Sequence, residues 1–131
     1  MVIRMTIYAL SSGSGTSGLA VIRISGIGTK EVVKSFIKDD MPPPRTATFK
    51  KFTKINTFEL IDEGLLLWFP GPESYTGEDM AELHVHGSLA VVRAVLDQLS
   101  KIADCRLAEP GEFTKIAYQN EKINLLKAES I

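Results

Sequence analysis

The chain has 131 residues, of which 44% are hydrophobic and 24% charged, a composition that can bury a single-domain core without disulfide or metal staples. Its formal net charge of −1 excludes the basic footprint with which a domain of this size would hold nucleic acid by itself. The single cysteine, Cys105, excludes an internal disulfide, and no apolar stretch approaches the roughly 20 residues of a membrane-spanning helix.

Thr6 to Ser11 reads as a strand. The loop Ser12 to Ser17 follows, and Gly13-Ser-Gly15-Thr-Ser-Gly18 runs through it to the start of the next strand. That string matches a dinucleotide-binding pattern, but the pattern needs its last glycine to open a helix. Here Leu19 to Ser25 (LAVIRIS) follows, a β-rich run with Leu19, Val21, Arg23 and Ser25 on one face and Ala20, Ile22 and Ile24 on the other. A hairpin loop is the better reading, and the Lys-Ser/Thr pair of a phosphate-binding loop is absent after Gly18.

Thr29 is a plausible N-cap for a helix through Val32, Val33, Phe36 and Ile37. Pro42 to Pro44 breaks regular structure. Ala47 to Thr53 and Asn56 to Ile61 read as strands, with Asp62-Glu63-Gly64 turning into a third, Leu65 to Phe69. A loop over Pro70–Gly77 leads into a strand from Met80, where alternation places Glu82, His84 and His86 on one face and Ala81, Leu83 and Val85 on the other. Ser88 can cap an amphipathic helix carrying Val91, Val92, Val95, Leu96, Leu99 and Ile102. A short strand near Arg106 to Ala108 and a helix over Glu112–Gln119 complete the domain, and another helix begins near Lys122. Grouped strands with later helices predict an α+β fold: a mixed or antiparallel sheet with flanking helices. Residues 1–121 are read as the domain and 122–131 as the start of a following helical domain, so the chain reads as part of a longer protein.

Several residues carry candidate chemistry. His84 and His86 would share a strand face with Glu82. Zinc needs three or four converging ligands, and Glu82 and His86 stand roughly 13 Å apart on an extended strand, so no metal site is assigned and the histidines read as pocket lining. Arg23, in an otherwise apolar strand, is either a solvated arginine or an anion clamp, because its planar fork matches carboxylate and phosphate. Lys122 carries the same two readings. Glu82 can accept N–H donors from a heterocycle. Cys105 reads as a buried, inert thiol.

Taken together, LAVIRISG, LLLWFPGPESYTGEDMAELHVHG and LAEPGEFTKIAYQNEKINLLKAESI resemble the N-terminal region of the MnmE/TrmE family of tRNA-modifying GTPases, over nearly the whole chain. The resemblance implies a domain that binds a tetrahydrofolate, such as the 5-formyl form, and forms a homodimer. It places the folate contacts on Arg23, Glu82 and Lys122. For the full protein it implies a G domain using GTP, Mg and K, outside this sequence, and no GTP hydrolysis by this fragment. It also implies an FAD-dependent MnmG-like partner, tRNA modified at its wobble uridine, and a cytoplasmic location (mitochondrial if the source is eukaryotic). The loop SSGSGTSG and Ser88 depart from the forms often seen in the family. Two other readings stay open: a dimerisation module whose folate pocket is unused, and a folate-dependent transferase resembling aminomethyltransferases.

Overall fold

The computed structural model describes residues 5–12 and 18–120. Within them the chain runs β1 (Thr6–Ser12), β2 (Leu19–Ser25), α1 (Thr29–Ile37), β3 (Thr48–Thr53), β4 (Leu60–Phe69), β5 (Met80–His86), α2 (Leu89–Ser100), β6 (Cys105–Leu107) and α3 (Glu112–Gln119). The six strands form one sheet in the order β3-β4-β5-β2-β1-β6. Every neighbouring pair is antiparallel except β1 with β6. This is the α+β fold expected from the grouping of strands. The predicted boundary at residues 121 and 122, and the helix beyond it, lie outside the described residues.

Alternation in β2 and β5 has the predicted consequence. Ala20, Ile22 and Ile24 of β2, and Ala81, Leu83 and Val85 of β5, are all buried. They join Leu66 and Trp68 of β4 and Phe52 of β3 in one core cluster, closed over by Val33 and Phe36 of α1 and Val95 and Leu99 of α2. Burying each such side chain contributes about 1.5–3 kcal/mol. The other sheet face is covered only at one end. There Ile7, Ser25 and Met80 are buried, and the 70–79 loop is tied on by a 2.8 Å hydrogen bond between the Ser25 and Thr76 hydroxyls. Asn120 at the end of α3 donates from Nδ2 to the Thr76 carbonyl oxygen at 2.9 Å.

Two local expectations need correction. Thr29 does not cap α1; Gly28 holds that position. The Thr29 hydroxyl is spent as a donor, to the carbonyl oxygens of Gly26 at 2.8 Å and Asp79 at 3.0 Å. It therefore joins the helix start to the loop ahead of β5. The second correction concerns Asp62-Glu63-Gly64, which is not a turn. Leu60 to Phe69 is one continuous strand, and the chain reverses earlier, where Lys54 N–H meets the Glu59 carbonyl oxygen at 2.9 Å. Gly64 is needed for close approach: a Cβ there would stand 2.0 Å from the His84 carbonyl oxygen. Sequence reasoning took the glycine for turn chemistry, while the contact that requires it comes from a strand 20 residues away in the chain (Gly64 and His84). By contrast, Ser88 caps α2 as predicted, its side chain accepting from Val91 N–H.

Burial pushes the Cys105 thiol up to about 11. Since the thiolate is the reactive form, native protein is expected to react slowly with iodoacetamide at mildly alkaline pH and rapidly once unfolded, as read by mass spectrometry. Gly64→Ala is expected to destabilise the fold by ~1–3 kcal/mol through overpacking against β5, measured by urea denaturation.

Candidate functional site

Away from the loop-covered end, the second sheet face carries a compact polar group. Strand register places Arg23 directly opposite Glu82, and Val21 opposite His84. Arg23 donates from Nε at 3.1 Å and Nη2 at 3.0 Å, both to Oε2 of Glu82. His84 Nε2 lies 3.0 Å from the other carboxylate oxygen, Oε1. An ionised carboxylate only accepts, so this contact is a hydrogen bond when Nε2 carries the proton. Side-chain exposures of 34% for Arg23, 19% for Glu82 and 25% for His84 leave the cluster open to a ligand while limiting water. The residues around it are apolar: Leu67 stands opposite Glu82 and Leu65 opposite His84, Phe49 stands opposite Leu65, and Leu19, Phe49 and Leu65 are exposed.

The two histidines do not act together. His86 turns to β4, where Asp62 accepts from His86 N–H at 2.8 Å and meets its Nδ1 at 2.9 Å. Among the described residues no group of three or more His, Cys, Asp or Glu could hold a metal ion. Burial alone would raise the Asp62 carboxyl; the backbone N–H and ring of His86, with the Glu63 backbone, outweigh it and hold Asp62 below the usual carboxylate range. Asp62 was read as a turn residue and so missed, because a cross-strand partner leaves no mark in the alternation of either strand.

The structure thus brings Arg23 and Glu82 into contact, while Lys122 lies outside the described residues. It also holds a groove of about 950 Å³ on the opposite, helical face, lined by Ile27, Val32, Ile55, Gln98 and Ile102 among others. Three of the polar groups at that groove are engaged locally: Lys54 pairs with Glu59, Lys101 with Asp97, and Gln98 Oε1 accepts from Ile55 N–H. Converging polar groups on the sheet face make it the better candidate site.

An open mixed sheet with α1 and α2 on one face, and a guanidinium–carboxylate–imidazole cluster on the other, defines an α+β domain. Comparison with known proteins gives the family. Residues 6–122 match the model of the GTP-binding protein TrmE N-terminus, and the chain belongs to that family. It is 65% identical over 127 residues to the tRNA modification GTPase MnmE of Pelagibacter ubique, covering 97% of this chain and 29% of that protein. It is 47% identical over 126 residues to MnmE of Sinorhizobium medicae, covering 96% of this chain and 28% of that protein. It is 45% identical over 126 residues to the mitochondrial 5-taurinomethyluridine-[tRNA] synthase subunit GTPB3 of Danio rerio, covering 96% and 25%. The chain therefore spans less than a third of the length of these relatives. Among the described residues no helix is long and apolar enough to cross a membrane.

Because Asp62 is depressed, its bonds to His86 stabilise the fold above the ordinary carboxylate range and are lost as pH falls through the native value. Asp62→Asn is expected to cost ~1 kcal/mol near neutral pH, a deficit that closes only as pH falls below the ordinary carboxylate range, measured by denaturant titration at several pH values.

Proposed function

We propose that this chain is the folate-binding and dimerising N-terminal part of a tRNA-modifying GTPase. GTP hydrolysis, with Mg and K, and the MnmG-like FAD partner belong to the longer protein of which this sequence would be one part. The carrying observation is the Arg23–Glu82–His84 cluster on an uncovered, apolar-rimmed sheet face, in a chain whose family match runs through it. The exposed Leu19, Phe49 and Leu65 support a surface that a second copy covers.

The donor set suits a reduced folate. A carboxylate has about four lone-pair sites. Arg23 occupies Oε2 twice and His84 occupies Oε1 once, which leaves a site on Oε1 for an N–H of the pterin's guanine-like edge. A two-point fork onto Glu82 would require one of these contacts to yield. Arg23 Nη1 has no partner among the described residues and can meet a carboxylate of the glutamate tail, as would Lys122. When bound, the folate supplies the one-carbon unit; the residues of this chain bind and orient it. The reading includes cytoplasmic placement, or mitochondrial placement in a eukaryote, the Danio rerio relative being mitochondrial.

Isothermal titration of the dimeric protein with 5-formyl-tetrahydrofolate is expected to show one class of saturable binding. Glu82→Ala should weaken it by at least about tenfold, the loss of a charge-assisted contact, while changing stability by less than ~1 kcal/mol. A dimer without ligand response would support the pure dimerisation module instead. Turnover of a one-carbon substrate by this chain alone would support the transferase reading.

A further inference from the structure

We propose that His84 is a positioning residue for Glu82, holding its carboxylate in the orientation from which it receives a ligand. The identity of the ligand rests on the folate reading, and the geometry stands without it.

Glu82 projects from the middle of β5 with neighbours on both sides. Arg23 reaches it across the β2–β5 ladder and takes only Oε2. A carboxylate anchored through one oxygen can still rotate about its terminal bond, since sp³–sp² torsions at the end of a side chain are broad. His84, two residues along on the same face, removes that freedom by donating Nε2–H to Oε1. With both oxygens held, the carboxylate plane is fixed, and the remaining acceptor site on Oε1 points one way. His84 is itself held at the sheet: its backbone lies between Leu65 of β4 and Val21 of β2. The ring is one-quarter exposed, too little for a freely rotating surface imidazole. His86, at the strand end and 68% exposed, is turned instead to Asp62, so the two histidines of the chain are not interchangeable.

The pairing also fixes the state of the ring. Donation from Nε2 to a carboxylate selects the Nε2–H tautomer in the neutral imidazole, leaving Nδ1 as an unprotonated acceptor on the ligand side of the sheet. Charged and titratable groups on the strands beside it, by register, are Arg23 on β2, Asp62 and Glu63 on β4, and Glu82 and His86 on β5.

Two readouts test this. In the chain labelled with 15N-histidine, with His84→Gln used for assignment, the ring nitrogens near neutral pH are expected to report the Nε2–H tautomer for His84, and Glu82→Ala is expected to return it to a tautomer mixture. In titrations with 5-formyl-tetrahydrofolate, His84→Ala is expected to lose about tenfold in affinity. His84→Gln, whose amide N–H can occupy the Nε2 position, is expected to stay within about threefold of the parent chain. An Nδ1–H tautomer, a tautomer indifferent to Glu82→Ala, or a His84→Gln as weak as His84→Ala would overturn the proposal. If the parent chain binds no folate, the ligand reading falls by itself, and the tautomer measurement alone then decides whether His84 holds Glu82.

Discussion

Strands β2 and β5 lie side by side in the middle of the sheet, with Leu19 opposite His86 and Ser25 opposite Met80, and the rest of the molecule depends on that register. It stacks Ala20, Ile22 and Ile24 against Val85, Leu83 and Ala81 on one face, giving α1 and α2 an apolar floor. The same register brings Arg23 to Glu82 on the other. Slipping either strand by one residue would turn its side chains over, placing Glu82, His84 or Arg23 in the core and exposing Leu83 or Ile22. Unpaired buried charge costs several kcal/mol for each ion, added to about 1.5–3 kcal/mol for each large apolar side chain exposed.

The magnitudes also separate what the cluster does from what it stabilises. A cross-strand ion pair at partial exposure is worth about 0.2–1 kcal/mol, small beside the core beneath it. Arg23, Glu82 and His84 are therefore poorly explained as a stability device. Their geometry is better suited to recognition: three polar side chains held mutually, at limited exposure, within an apolar surround. The loop and α3 anchor the far end of that face through Ser25, Thr76 and Asn120. A hydrogen-bonded chain therefore runs from the strand carrying Arg23 to the segment that leads toward Lys122.

Much of this was legible in the sequence, for identifiable reasons. Strands β2 and β5 and helices α1 and α2 announced themselves because each buries one regular face, and a period of 2 or 3.6 is written directly in residue order. The hairpin reading of the glycine-rich loop was also available, since Leu19 begins a strand where a dinucleotide motif needs a helix. Failures fell where the deciding partner is distant in the chain. Gly64 looked like a turn because its neighbour across the sheet, the His84 carbonyl, is invisible locally. Thr29 looked like a cap because one of its hydroxyl's two acceptors, the Asp79 carbonyl, is 50 residues away in the chain and reaches it only once the 70–79 loop has docked.

The sequence by itself determined the α+β class, the two alternating faces of β2 and β5, the family, and the expectation that Arg23 and Glu82 belong to one site. Only the tertiary structure decided that these two side chains grip each other, that His84 completes the grip while His86 leaves it for Asp62, and that one face of the sheet keeps an open stretch. Alternation specifies which way a side chain points. Which side chain it meets is set by strand order and register, and these follow from the packing of the whole domain.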